Sequence, residues 1–426
     1  MLTDLTGKRV LTFNSVVRVN QIEVTRDRNE GVDEATIHTP EAVEALRDAF
    51  REGWPGASMT WAVSWRALYD TRPQYRAIRD LLCGYCEQEG DDVTFIPGGY
   101  FAPMYNLRDQ INRDLHDGLA RVSEMIGSGY RPKSVVAGFL PADSLAYLAE
   151  HEGIHVCQGN IWSQFAIDNG DGDGSIGYPY YPSTEHFCKP AQGPDDQIDC
   201  VNLDGWTVDF LAARHAGTGP GYNSRMGVGP IETIGGHGPE KGLEQMLATT
   251  TVHFDEGLAR NEFAWVTNCW EISLVSSLDH LEVLSAWLRS IRERWPDAIC
   301  CNLGDLGEAW RRRYRGNEAV DYRFAQRGTG LGGSDARLEI RWFMNQHFRL
   351  ALLRDWQAGE PWRVIDLTRY TLPASEPEGM GRNWSLLGDI NQKGTRPQDR
   401  PRRLDQLAPQ LQGVIYERYP ELEAWR

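Results

Sequence analysis

Two carboxylates at the ends of apolar runs, Glu271 and Asp204, are the side chains of this sequence best placed for acid–base chemistry. Breaking a glycosidic bond takes one carboxyl that is protonated and one that is ionised. Glu271 stands between Trp270 and Ile272, and an apolar surround raises a carboxyl pKa, which suits the proton donor. Asp204 closes the run IDCVNLD ahead of Gly205-Trp206 and suits the ionised partner, with Asp209 in reserve. The competing reading of Glu271 is a structural ion pair with a nearby arginine. Groups that could hold a substrate recur at neighbouring strand ends: Arg18 and Asn20, Trp65, Tyr100, then Trp162, Gln164 and Asp168, then Trp206 and Trp270. Aromatic faces beside amides and carboxylates suit pyranose rings, whose faces are apolar and whose edges are hydroxyls. A single tryptophan could equally plug a core; four of the 15 at strand ends favour sugar.

The segment from Gly159 to Phe210 is densest in such groups and reads as a long loop at the mouth of a scaffold. It adds Glu185-His186, a second acid–base pair that would contact substrate. It also contains Asn169-Gly-Asp171-Gly-Asp173-Gly174, whose alternating oxygen ligands match the opening of a calcium loop. The twelfth position is Tyr180, so calcium on Asn169, Asp171 and Asp173 is the lesser reading beside an acidic rim that binds hydroxyls. The chemistry requires no other cofactor. His151-Glu152-Gly153-Ile154-His155 spells HExxH, but Gly153 should stop the helix and turn the two histidines apart.

These groups need a frame, and the chain supplies one. Short apolar runs (Val10–Phe13, Met59–Val63, Val93–Ile96, Ser134–Ala137, Ile154–Cys157, Ile198–Leu203, Phe263–Asn268, Ala298–Asn302) alternate with helical patterns such as Val43, Leu46, Phe50 behind the Thr39-Pro40 start. Such alternation predicts a parallel sheet with helices outside, and so many units favour a barrel, where reacting groups sit at the carboxyl ends of strands. After Gly316 the rhythm changes to strand-like runs, Leu338–Phe343, Phe348–Leu353 and Trp362–Leu367. The expected division is a barrel over 1–315 and a β-rich domain over 316–426.

A net charge of −16 over 426 residues disfavours nucleic acid or an anionic surface as partner. No run approaches a membrane span, and MLTDLTGKRV lacks a signal pattern, so a cytoplasmic protein is expected. Eight cysteines in so long a chain do not form a disulfide framework. Oligomeric state is open.

VLTF, TPEAVEALRDAF with ASMTWAV, DDVTFIPGGYF, GYRPKSVVAGFLPADSLAYLAEHEGIHV and HLEVLSAWLRSIRERWPDAICCNLGDL together resemble the glycoside hydrolase/deacetylase superfamily over roughly residues 8–310. The resemblance implies α/β architecture with a distorted seven-stranded (β/α) barrel. The run DGDGSIGYPYYPSTEHF…IDCVNLDGWTVDF is similar to a bacterial family that joins such a barrel to a short C-terminal domain and supplies no activity to borrow. Deacetylases of the superfamily hold a divalent metal with an Asp-Asp pair after the first strand and His-x3-His after the third. Here those places read Asn14-Ser15 and Gly98-Gly99-Tyr100-Phe101. The expected activity is therefore a carbohydrate hydrolase of glycosidase type, using paired carboxylates on an oligo- or polysaccharide or glycoconjugate. The alternatives are a deacetylase with a non-standard metal site and a glycan-binding protein without turnover.

Overall fold

The computed structural model describes residues 2–127, 129–160, 173–213, 226–274, 278–381, 383–390 and 401–425. Its strands follow the expected alternation: β1 Arg9–Val17, β2 Thr60–Val63, β3 Asp92–Phe95, β4 Val135–Val136, β5 Val156–Asn160, the hairpin β6 Pro182–Ser183 and β7 His186–Pro190, β8 Val201–Asp204, β9 Ala264–Glu271 and β10 Ile299–Cys301. The sequence places the end of β1 too early. Asn14 and Ser15, of types that disfavour strands, are carried inside it by the buried residues Val16 and Val17 and by pairing on both sides.

β1 is the centre of a five-stranded parallel sheet. It runs beside β9 over eight pairs, Arg9↔Ala264 to Val16↔Glu271. On its other edge β10 takes the first half, Val10 to Thr12, and β2 the second, Asn14 to Val17; β3 then pairs with β2. β4, β5 and β8 form a second parallel sheet. Bonds bridge the two sheets at both sides: Thr94 Oγ1 donates to Ser134 O at 2.6 Å, and Thr207 N donates to Thr267 O at 3.0 Å.

Side chains alternate between two layers. Leu11, Phe13, Trp61, Val63, Val93, Phe95, Val266 and Trp270 join the buried layer containing helix residues Val43, Leu46, Phe50, Leu284 and Leu288. Val10, Val16, Ala62, Ile96, Val136, Val156, Val201 and Cys269 belong to a separate buried cluster. The helix Pro40–Gly53 starts as expected, with Thr39 accepting from Ala42 N and proline in the first turn. The HExxH helix also stops as expected: Gly153 is left-handed, with φ 65°.

The C-terminal part is an antiparallel sheet, β11 Asp321–Arg327, β12 Leu338–Asn345, β13 Phe348–Asp355 and β14 Arg363–Arg369, with β15 Arg402–Arg403 on its edge. Gly328–Gly333, whose sequence GTGLGG spells the GxGxxG pattern of dinucleotide sites, lies in the turn between β11 and β12, not before a helix. The sheet has its own small core, where Phe343, Leu350 and Val364 meet Ile415 and Tyr419. Among the described residues no helix is long and apolar enough to cross a membrane.

Candidate active site

Glu271, the last residue of β9, lies against Arg18, the first residue after β1: Arg18 Nη2 is 2.6 Å from Glu271 Oε2. Arg18 is buried and Glu271 largely so, with 4% and 14% of their side chains exposed. The arginine also donates to Glu34, from Nε at 2.5 Å and Nη2 at 3.0 Å. Burial alone would weaken its charge, but Glu271 and Glu34 override that and raise its pKa. Burial likewise opposes the charge on Glu34, yet His38 and Arg18 hold its carboxyl down at about 2. Burial keeps His38 neutral, lowering its pKa against the pull of Glu34.

Tyr100 packs beside this pair. Its backbone is left-handed at φ 78°, rare for a residue with a Cβ and a mark of local strain. Its hydroxyl lies 3.0 Å from Cys269 Sγ, and Cys269 sits two residues before Glu271 on the same face of β9. Burial pushes both the Tyr100 phenol and the Cys269 thiol up, so neither supplies an anion near neutral pH. Glycines allow two close backbone approaches here, Gly99 to the segment after β1 and Gly138 to Tyr100. A Cβ on Gly99 would stand 2.5 Å from Gln21 O, and one on Gly138, itself at φ +68°, 2.3 Å from Tyr100 O. Gly138→Ala should therefore cost about 1–3 kcal/mol, read as a lower urea midpoint. An unchanged midpoint would mean that the Tyr100 backbone moves freely.

Contacts lead from Tyr100 to Asp204. The Tyr100 and Trp206 ring centroids are 6.3 Å apart, and Asp204 Oδ1 accepts from Gly205 N at 2.7 Å and Trp206 N at 3.4 Å. Asp204 pairs in register with Asn160. Beneath, the Asn14 amide donates to Gln158 Oε1 at 3.4 Å, linking β1 to β5. Asn14 Oδ1 and Asn160 Oδ1 are buried with no hydrogen-bond partner. Both retain unused acceptor capacity. Arg18, Tyr100, Trp206, Asp204 and Glu271 thus lie along one connected set of contacts.

Other expected residues are engaged elsewhere. Trp270 is not at the mouth. It is fully buried and packs 6.3 Å from Phe13, which packs on Phe50 of the helix Pro40–Gly53. Adjacent strand residues face opposite ways, so Glu271 and Trp270 cannot share one cavity. Trp65 is 2% exposed and meets the Phe95 ring edge-on at 4.8 Å, again in the layer under the helices. Asp209 is a helix cap: Oδ1 accepts from Leu211 N and Ala212 N, and Oδ2 from Gln245 Nε2, ahead of the helix Phe210–Ala213. Burial raises its pKa, and both oxygens are already bonded. The Asn20 side chain accepts from Arg66 Nη1 at 2.7 Å.

Glu185 is 2.6 Å from Lys189 Nζ and accepts from Ala374 N, contacts of which the salt bridge is the largest influence holding its pKa down. His186 Nδ1 accepts from Cys188 N at 3.1 Å. Asp173 pairs with the buried Arg349 at 3.2 Å. Trp162, Gln164, Asp168, Asn169 and Asp171 lie outside the described residues.

The positions where superfamily deacetylases hold a metal do not fit one. Asn14 is bonded to another amide, and Gly98–Phe101 offers no imidazole. Among the described residues no group of three or more His, Cys, Asp or Glu could hold an ion. Glu34, His38, Gln158 and Cys269 belong to the site and escape the sequence reading. Period-two alternation from Asn14 and Glu271 would have found Cys269, and the same rule from Asn160 would have found Gln158. Nothing local marks Glu34 or His38.

A family model and a solved structure match most of this chain. The family model DUF3863, a domain of unknown function with a solved structure, matches residues 3–344, and DUF3864, of the same description, residues 349–422. A Parabacteroides distasonis structure described as a candidate glycoside hydrolase/deacetylase is 46% identical, with a TM-score of 0.95 over 99% of this chain and 100% of that one. More remote is a Pseudomonas aeruginosa protein described as a probable polysaccharide deacetylase, at 10% identity and TM-score 0.46 over 72% of this chain and 92% of that one. An allantoinase stands at 11% and 0.44, over 72% and 91%. No curated protein matches.

Proposed function

The chain belongs to the DUF3863 family, and from that premise we propose that it is a carbohydrate-acting hydrolase whose chemistry rests on Glu271 and Asp204. The observation that carries this reading is the buried Arg18–Glu271 contact at the strand ends, linked through Tyr100 and Trp206 to Asp204. The description of the 46% identical P. distasonis structure supports the substrate class. We read the two parallel sheets as one distorted barrel of seven strands, β1, β2, β3, β4, β5, β8 and β9, with β10 against the first half of β1. The Thr94–Ser134 and Thr207–Thr267 bonds that bridge the sheets support that closure.

The roles of the two acids are exchanged relative to the sequence expectation. A guanidinium at 2.6 Å complements negative charge, so Glu271 takes the part of nucleophile or base. Asp204, buried at the end of β8, is then assigned the proton donor's part through Oδ2, the two backbone N–H groups falling on Oδ1. Trp206 and Tyr100 form the sugar-facing wall, and the carbonyl oxygens of Asn14 and Asn160 accept from ring hydroxyls.

Leaving groups separate the two roles. Asp204→Asn should cut cleavage of an ordinary glycoside by roughly 10²- to 10⁴-fold but spare an aryl glycoside whose phenolate leaves without a proton. Glu271→Gln should impair both. Equal losses for the two Asp204→Asn substrates would remove the donor role from Asp204.

A further inference from the structure

Glu271 is the end of a buried chain that begins two elements away. Arg18 grips Glu34 with two nitrogens, Nε to Oε2 at 2.5 Å and Nη2 to Oε1 at 3.0 Å, and only Nη2 also reaches Glu271, at 2.6 Å. Glu34 in turn lies 3.2 Å from His38 Nε2. His38 Nδ1 accepts from Arg18 N at 3.3 Å, which leaves the ring proton on Nε2, where it donates to Glu34. His38 is fully buried, and the Glu34 side chain is 11% exposed. Arg18 follows β1, while Glu34 and His38 come from the loop before the helix Pro40–Gly53.

Without Glu34, the guanidinium fork is free to turn onto Glu271 with both nitrogens, the geometry that binds a carboxylate most strongly. Such a grip would leave Glu271 a poor base or nucleophile. Glu34 occupies the Nε–Nη2 edge of that fork, and Glu271 receives a bond from Nη2 alone. Its negative charge also sets a limit on how far Arg18 favours the ionised form. The other groups facing Glu271 are Tyr100 from the segment after β3, Cys269 on its own strand, and Ser273, whose hydroxyl is 3.4 Å from Oε2.

We propose that Glu34, oriented by His38, is a positioning residue that acts through Arg18 to set the direction and strength of the guanidinium hydrogen bond received by Glu271. This rests on Glu271 being the ionised carboxylate of the site. It explains why a loop residue sixteen positions from Arg18 meets it in two bonds, and why a neutral histidine is buried behind that loop.

The test is Glu34→Gln in the full chain, with two readouts. One is the acid limb of kcat/KM against pH. The other is a carbon-13 NMR titration of labelled glutamate side chains, with Glu271 assigned by its loss in Glu271→Gln. The Glu271 titration and the acid limb should both move down by about one pH unit, the low end of what a neighbouring charge does. A lower melting temperature with an unmoved Glu271 titration would make Glu34 an anchor of the fold only and overturn the proposal. If no glycan is turned over but the NMR titration moves, the positioning role stands and the hydrolase reading falls. Should Glu34→Gln fail to fold, Arg18→Lys serves. An ammonium cannot fork onto both carboxylates, so Glu271 should titrate higher than in the parent; an unmoved titration again overturns the proposal.

Discussion

Glu271→Gln is expected to lower turnover of a cleaved glycan by roughly 10²- to 10⁴-fold while the protein stays folded. The amide has the shape of the carboxylate and keeps a carbonyl oxygen for Arg18 Nη2. Arg18 does not become an unpaired buried cation, because Glu34 still holds it through two hydrogen bonds. The substitution therefore removes a charge at the reacting centre and little else. Glycan affinity, measured by calorimetry on the folded variant, should change far less than turnover, since Trp206, Tyr100, Asn14 and Asn160 are untouched. A variant that retains parental turnover would make Glu271 the structural ion-pair partner that its contact with Arg18 equally allows.

Arg349→Met carries the largest expected effect on stability. Arg349, on β13, is fully buried, with Nη2 2.7 Å from Asp366 Oδ2 and 3.2 Å from Asp173 Oδ1. Its Nη1 donates to Ser175 O at 2.9 Å. Burial works against its charge, and the two aspartates more than compensate, raising its pKa. Removing the cation leaves two fully buried carboxylates without their counter-charge. Breaking such a pair costs about 3–5 kcal/mol, seen as a lower urea midpoint with unchanged slope. The loss should also reach activity. Asp173–Ser175 tie the C-terminal sheet to Asn160, whose side-chain amide donates to Ser175 Oγ, and Leu386 N and Ser385 Oγ bond the Asp173 backbone. A variant within about 1 kcal/mol of the parent would mean that the aspartates take up protons or turn to solvent at little cost.

The alternating run of strands and helices was legible because it rests on local patterns of period two and period 3.6. So were the helix start at Thr39-Pro40 and the helix stop at Gly153. The change after Gly316 was legible too, although β11 was passed over. Its sequence DYRFAQR alternates buried and half-buried positions, a signal diluted by two arginines. The site was legible in part. Placing Trp270 and Glu271 in one cavity ignored strand alternation, which the sequence itself contains. Asp209 was legible as a cap, since Asp followed by Phe-Leu-Ala-Ala is a helix start. The Arg18–Glu34–His38 set was not. Glu34 and His38 sit in an irregular loop, and only the folded chain brings that loop against the end of β1. Tyr100 shows the same limit, for its left-handed backbone occurs where Gly99 packs on Gln21 and Gly138 on Tyr100, contacts that only the folded chain makes.

The central claim is that carboxylates, rather than a metal, cut a glycan bond at this mouth. Mass spectrometry of a glycan panel after incubation with the purified protein tests it most directly. Shortened chains, whose summed mass exceeds that of the uncut glycan by one water per cut, should appear with the parent protein and vanish with Glu271→Gln. Release of acetate from intact chains, or glycans bound and returned unchanged, would contradict the account.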